Sequence, residues 1–309
     1  MCAVPVDRLR AMTKLAAPVF VGGTGRSGTT VLADLIGRHS AYHLIPIEAR
    51  FHAEPKGLPG VAAGEVTLEE FHERFLKRYY FRRRDDGAER GLRLAGVPRP
   101  RAVKAIDEFV ETYAADPTAA AAGLMNRLFN PLARSNHATT WVEMTPPNVE
   151  HSQFLQSIFP TAKVLHIVRD GRDVAASVSF RRWGPDDPFD ALEWWADRLR
   201  AADAASGDPR RELLVGFEAL VFNDRKRQYR RILRFLGISD EPAMREFFET
   251  SLTGENANRG RWRDVVPADQ HADFDRAYER IVAELRDEGV AAARALDADE
   301  PGGLRRLLR

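Results

Sequence analysis

The sequence predicts an α/β fold with a central parallel sheet, a P-loop-like anion-binding loop and helices on both faces of the sheet. The first observation is the apolar run Val19–Val21, followed by a glycine-rich segment and a helical pattern. This order is typical of a buried strand, a tight loop and a helix. The second is another apolar run, Lys163–Val168, with Arg169 directly after it. We expect the two strands to lie side by side.

The glycine-rich segment is the most informative part of the chain. Gly23 and Gly28 have the G-x-x-x-x-G spacing of a P-loop, but Thr29 stands where the P-loop lysine would follow, and Arg26 supplies a cation inside the loop. Backbone N–H groups and the start of the next helix favour an oxyanion there. The alternative is an ordinary strand–turn–helix without a ligand. The predicted anion-binding residues are Gly25, Arg26, Ser27, Gly28, Thr29 and Thr30.

Composition narrows the function classes. The 309 residues include 46 Lys and Arg against 45 Asp and Glu, a net charge of +1, so no overall field attracts nucleic acid or a membrane surface. Cys2 is the single cysteine, which excludes an internal disulfide or a thiolate metal cluster, and the histidines lack metal-ligand spacing. Residues 1–17 do not read as a signal peptide, and no apolar stretch reaches the length of a membrane span. We expect a cytoplasmic protein without a bound metal.

After the loop, the pattern predicts a helix over Thr29–His39 and a short strand over Tyr42–Pro46. That strand brings Glu48 and Arg50 to its end, and the carboxyl ends of parallel strands are where α/β sheets bind ligands. Both side chains could therefore face the same crevice as Arg26. A plain surface salt bridge between them is an equal alternative on local grounds.

Residues 52–138 are predicted to form a helical insertion on the acceptor side of one domain spanning 1–309. Nothing in this stretch identifies a substrate. We expect a loop at Phe51–Gly64, helices at Leu68–Phe81, Val103–Ala115 and Pro117–Arg134, and a linker at Arg99–Ala102.

In the second half, Arg169 lies at the end of the second core strand and Ser177 about two helical turns later. A guanidinium and a hydroxyl that converge there would suit a second phosphate, although such strand-end arginines are often structural. The other predicted elements are a strand at Thr140–Pro146, a helix at Asn148–Phe159, a helix at Phe189–Ala205, a strand at Leu213–Phe217, a helix at Asp224–Leu236 and a C-terminal helical segment at about 267–309.

Together these motifs resemble the sulfotransferase family, whose members use 3′-phosphoadenosine 5′-phosphosulfate (PAPS) and release the bisphosphate PAP. The resemblance rests on Gly23–Thr30 and on the run from Phe159 through Arg169-Asp170-Gly171-Arg172-Asp173. Glu48-x-Arg50 is similar to tyrosylprotein and carbohydrate sulfotransferases. Thr145-Pro146 and the late loop Arg259-Gly260-Arg261 fit as well. The similarity covers about residues 18–50 and 139–265.

The resemblance implies a role for each motif. The first loop would hold the 5′-phosphosulfate, with Arg26 stabilising the leaving group, while Arg169 and Ser177 would bind the 3′-phosphate. The late loop Arg259, Gly260 and Arg261 would belong to the same nucleotide site. Glu48 would act as base toward an acceptor hydroxyl in an in-line transfer, with Arg50 orienting it. No metal is implied.

Two departures from the family pattern keep other functions open. Met144 stands where many relatives have a lysine, and Phe217 replaces the tyrosine of a Tyr-Glu-Asp-Leu motif. Besides a sulfotransferase, the chain could be a small-molecule P-loop kinase, which Thr29 argues against, or a PAPS-binding protein without catalysis. The expected acceptor is a hydroxyl-bearing small molecule, carbohydrate or lipid rather than a protein.

Overall fold

A computed structural model of the protein describes residues 16–83 and 87–296. Cys2, most of the 1–17 segment and residues 297–309, for which predictions were made above, lie outside this range. The strands are β1 (Val19–Gly22), β2 (Tyr42–Leu44), β3 (Arg82–Arg83), β4 (Glu89–Arg90), β5 (Thr140–Glu143), β6 (Lys163–Val168) and β7 (Glu212–Gly216). The α-helices are α1 (Thr29–Gly37), α2 (Leu58–Ala62), α3 (Leu68–Arg74), α4 (Arg99–Tyr113), α5 (Pro117–Ser135), α6 (Ser152–Ile158), α7 (Gly171–Val178), α8 (Pro188–Ala204), α9 (Arg225–Leu236), α10 (Pro242–Thr250), α11 (His271–Asp287) and α12 (Ala293–Leu296).

Among the described residues, five strands form a parallel sheet in the order β2-β5-β1-β6-β7. β1 pairs with β6 from Val19 opposite Lys163 to Gly22 opposite His166. The predicted parallel α/β fold is therefore confirmed, and so is the adjacency of the two core strands. Their shared register brings the loop after β1 and the Arg169 segment after β6 to the same edge of the sheet.

Helices cover both faces of this sheet because its strand residues alternate between two apolar clusters. Phe20 and Trp141 face one cluster, which the 52–138 insertion completes with its own aromatic side chains. Val21 and Val142 face the other, which α1, α9 and α10 cover. Glu143 and Arg169, by contrast, lie at or just after the carboxyl ends of their strands, beyond the apolar faces of the sheet.

Several predicted bounds inside the insertion were wrong. Arg99–Ala102 is not a linker but the first turn of α4, because Pro100 fits the first turn of a helix, where its missing N–H costs nothing. The segment predicted as a loop contains α2, and α3 continues as a π-helix over Phe75–Tyr80. The insertion is not wholly helical, since β3 and β4 pair as an antiparallel hairpin.

The described part of the predicted C-terminal helical segment contains two helices rather than one. Helix α11 ends at Asp287, and Gly289 follows with a φ of 79° before the short helix α12. A left-handed glycine favours such a break. None of the described helices combines the length and apolar character that crossing a membrane requires.

Candidate active site

The loop between β1 and α1 has the properties of an anion cradle. The hydroxyls of Thr24 and Ser27 are buried, and no hydrogen-bond partner faces either of them within residues 16–83 and 87–296. A Cβ on Gly23 would lie 2.4 Å from the carbonyl oxygen of Ile167, so only glycine fits there. Gly28 caps α1 with a φ of 102°. Buried donors without partners are expected where an oxyanion binds, so the site residues fit a phosphate or sulfate group.

Arg26 lies at the centre of a concentration of positive charge. Its Nε donates a hydrogen bond to Oγ of Ser177 over 2.8 Å. Partial burial lowers the pKa of Arg26, and Arg181, Arg169 and Arg261 lower it further, while Glu48 opposes them. Mutual repulsion of this kind is relieved when an anion binds between the cations.

Arg169 joins the loop to the C-terminal part of the chain. One guanidinium nitrogen, Nη2, donates to the carbonyl oxygens of Ala257 (2.8 Å) and Asn258 (3.1 Å). The other, Nη1, lies 3.5 Å from the carbonyl oxygen of Arg26. The guanidinium also packs over the ring of Phe217 at 4.7 Å, which makes that departure from the family pattern part of the site.

Asp173 is a site residue that the sequence analysis missed. Its buried carboxylate accepts hydrogen bonds from the backbone N–H of Gly260 (2.9 Å) and of Trp262 (3.3 Å), and Nη2 of Arg169 lies 3.5 Å away. Asp173 therefore ties the late loop to the start of α7. The side chain of Arg259 packs on Phe222 at 5.0 Å, and Arg261 lies near enough to Arg26 to lower its pKa.

Glu48 and Arg50 emerge from the segment after β2. The side chain of Glu48 is exposed to solvent, but the many protein atoms around it reduce its hydration. This reduced hydration raises the pKa of Glu48, although the positive charge of Arg50 acts to lower it. The Nε of Arg50 pairs with Glu54 at 2.6 Å. Met144 is buried in the apolar cluster under α1. The position of the family lysine is thus occupied by a core side chain.

Beneath this segment lies a buried polar cluster that the sequence did not indicate. Glu143, at the end of β5, is fully buried together with His52, Thr145 and Asn148. Although burial acts to raise its pKa, His52 and the hydrogen bonds from Thr145 and Asn148 hold the pKa of Glu143 at about 2. No sequence signal places His52 beside Glu143, since 91 residues separate them.

The structure therefore brings together the loop after β1, the Arg169–Ser177 segment, the late loop and Glu48. A sequence model of the sulfotransferase family matches residues 18–242, about three quarters of the chain. The chain belongs to the sulfotransferase family. This sulfotransferase keeps most of its site inside the matched range, while the loop at 257–262 lies beyond it.

Solved sulfotransferase structures are similar to this sulfotransferase at low identity. STF1 of Mycobacterium tuberculosis H37Rv shares 18% identity at a TM-score of 0.46, covering 77% of this chain and 72% of its own. The sulfotransferase domain of the Synechococcus PCC 7002 olefin synthase shares 18% identity at a TM-score of 0.46, and the match covers 87% of this chain and 96% of that domain. Mouse SULT7A1, complexed with PAP, shares 16% identity at a TM-score of 0.44, and the match covers 92% of this chain and 89% of SULT7A1. The comparison with curated protein sequences gave no match.

Within the described ranges, His, Cys, Asp and Glu side chains do not form a group of three or more that could hold a metal ion. Of the carboxylates at this edge of the sheet, Glu48 lies beside arginines and Asp173 accepts backbone hydrogen bonds.

Proposed function

We propose that this protein is a PAPS-dependent O-sulfotransferase. The observation that carries the proposal is the hydrogen bond from Arg26 to Ser177, because it joins the cradle to the segment predicted to hold the 3′-phosphate. One nucleotide with anionic groups at both ends would complete both sites. Membership of the sulfotransferase family supports PAPS as that nucleotide.

The donor side of the site is made of this chain's own hydrogen-bond donors. The cradle amides with the hydroxyls of Thr24 and Ser27 would hold the 5′-phosphosulfate, and Thr29 and Thr30 open the helix behind it. Arg26 would neutralise the charge that develops on the leaving bisphosphate, as expected when catalysis depends on positioning and electrostatics. Bound PAPS supplies the activated sulfonyl group.

Arg169 is already oriented by two carbonyl oxygens and by Phe217, so its guanidinium loses little freedom on binding a phosphate. Ser177 adds a hydroxyl, and the backbone of the late loop, anchored by Asp173, would close the 3′-phosphate site. Arg259 and Arg261 contribute positive charge at its rim.

On the acceptor side, Glu48 would take the proton from the hydroxyl that is sulfated. A carboxylate with a raised pKa is a stronger base than an ordinary glutamate. Arg50, braced by Glu54, would orient Glu48 or the acceptor. We propose a hydroxyl-bearing small molecule, carbohydrate or lipid as acceptor.

The test is transfer of labelled sulfate from PAPS across a panel of hydroxyl acceptors without added metal, with Glu48→Gln as the matched variant. We expect turnover by the wild type and a fall of about 10²–10⁴-fold for Glu48→Gln at unchanged PAP affinity. Binding of PAP without transfer to any acceptor would favour the non-catalytic alternative. Turnover with ATP that requires Mg²⁺ would favour the kinase.

A further inference from the structure

The buried cluster below the proposed base has a geometry that fixes the backbone on which Glu48 stands. We propose that Glu143 and Thr145 are positioning residues that hold the turn Glu48-Ala49-Arg50 in the conformation needed for proton transfer. This inference rests on the proposed function of Glu48 as base.

Five donors converge on the carboxylate of Glu143. Its Oε1 accepts from the backbone N–H of Ala49 (3.0 Å) and from the hydroxyl of Thr145 (2.6 Å). Its Oε2 accepts from the backbone N–H of Thr145 (2.9 Å), from Nδ2 of Asn148 (2.7 Å) and from Nε2 of His52 (3.0 Å). A carboxylate has about four lone-pair sites, so Glu143 is saturated and has one orientation only.

Thr145 carries this constraint one residue further along the turn. Its Oγ accepts a hydrogen bond from the backbone N–H of Arg50 over 3.1 Å while its own proton goes to Glu143. Arg50 has a φ of 66°, a left-handed conformation that is unfavourable for a non-glycine residue and persists only where neighbours enforce it. The backbone N–H groups of Ala49 and Arg50, which directly follow Glu48, are therefore both hydrogen-bonded to the buried cluster.

His52 and Asn148 lock the carboxylate from the other side. Nε2 of His52 lies 2.8 Å from Oδ1 of Asn148 as well as 3.0 Å from Glu143, and both partners are acceptors, so Nε2 must carry the proton. Nδ2 of Asn148 also donates to the carbonyl oxygen of Val21 in β1. The cluster thus connects the turn that carries Glu48 to the strand that leads into the anion cradle.

The first experiment compares Thr145→Val with Thr145→Ser. Valine keeps the shape of threonine but leaves the N–H of Arg50 without its acceptor, whereas serine keeps the hydroxyl. With an acceptor that the wild type sulfates, we expect kcat to fall about 10- to 100-fold for Thr145→Val and to be rescued in Thr145→Ser, with the same Kd for PAP in both.

The second experiment uses Glu143→Gln, whose side-chain amide must face the N–H of Ala49 or of its other donors. The matched control is Glu212→Gln. Glu212 also accepts hydrogen bonds from a hydroxyl, an amide and a backbone N–H, but it lies at the amino end of β7, away from the strand ends that carry the proposed site. We expect both variants to have a lower free energy of unfolding than the wild type, but only Glu143→Gln to have a lower kcat.

A pH profile separates positioning from general destabilisation. Glu48 is surrounded by Arg50 and Arg90, which lower its pKa, and by Glu143 and Glu54, which raise it. Removing the charge of Glu143 should therefore move the acidic limb of kcat to lower pH, and Glu212→Gln should leave that limb in place.

Thermal unfolding curves first establish that Thr145→Val and Glu143→Gln are folded. The inference is overturned if these two variants have the kcat of the wild type while Glu48→Gln is inactive. It is also overturned if both lose PAP affinity in parallel with kcat, since the cluster would then support the cradle alone. A wild-type rate in Glu48→Gln would instead remove the proposed base itself.

Discussion

Nε of Arg26 donates a hydrogen bond to Oγ of Ser177 across 151 residues of chain. Arg26 lies in the loop after β1 and Ser177 in α7, the helix that follows the neighbouring strand β6, so the parallel pairing of β1 and β6 brings the two side chains together. The cation of the loop after β1 and the hydroxyl of α7 are therefore in direct contact. Ser177 orients Arg26, and under the proposed function its hydroxyl also contacts the 3′-phosphate.

The first prediction concerns the 3′-phosphate. Arg169→Ala should weaken binding of PAP by about 1.5–3 kcal/mol and leave adenosine 5′-phosphate, which lacks the 3′-phosphate, much less affected. Ser177→Ala should weaken both nucleotides, because it also releases Arg26. Calorimetric titration of both ligands checks this. Equal losses for the two nucleotides in Arg169→Ala would show that Arg169 does not bind the 3′-phosphate.

The second prediction is a pH dependence. The protein atoms around Glu48 reduce its hydration and raise its pKa, and the base acts only when ionised. Single-turnover sulfation at saturating PAPS should therefore rise with pH through a value above the usual glutamate pKa of about 4.3. Glu48→Gln should lack this acidic limb. If the limb persists in Glu48→Gln, it belongs to another group.

The third prediction tests the fit of the cradle against its neighbour Trp183. A Cβ on Gly25 would lie 2.7 Å from the indole of Trp183, which is 56% exposed and packs on Trp194 at 5.8 Å. Gly25→Ala should weaken PAP binding by about 1–3 kcal/mol because the loop or the indole must move. Combining it with Trp183→Ala should restore most of the affinity.

The control for that pair is Gly123→Ala in α5, where an added Cβ has no neighbour closer than 3.8 Å. It should leave PAP binding unchanged and add stability, since alanine favours a helix. If the double variant binds PAP no more tightly than Gly25→Ala alone, the indole of Trp183 is not the group that requires glycine at position 25.

The fourth prediction is a loss of stability in acid. The pKa of Glu143 is about 2 in the folded protein, whereas an unfolded glutamate has about 4.3, so the unfolded state binds the proton first as pH falls. The stabilisation from ionised Glu143 is complete above about pH 4.3 and is lost as pH falls toward 2. Urea unfolding of wild type and Glu143→Gln should show a gap in unfolding free energy that narrows across this window. A constant gap would mean that ionisation of Glu143 does not stabilise the fold.

The fold elements predicted correctly from sequence are those with local patterns. The strand, loop and helix around Gly23–Gly28 are recognisable because glycine spacing and an apolar strand lie within a dozen residues, and the place of Arg169 at the end of β6 because it directly follows an apolar run. Arg99–Ala102 was misjudged because a proline suggests a loop, although it equally suits the first turn of a helix.

The polar clusters could not be predicted because their partners are far apart in the chain. Asp173 and its hydrogen-bond partner Gly260 are 87 residues apart in the sequence, and Glu143 and Ala49 are 94 residues apart. A buried carboxylate has no periodic signature, and its donors here are mostly backbone N–H groups, which every residue has. Only the parallel pairing of β5, β1 and β6 brings these groups together.

The bond between Asp173 and Gly260 also orders events during synthesis. Since the chain grows from its N-terminus, Asp173 is made 87 residues before the amide that it binds. Until then the proposed nucleotide site lacks the loop that Asp173 anchors. A nucleotide stabilises only the state that binds it, so under the proposed function PAPS can stabilise the complete site only after Gly260 has been made.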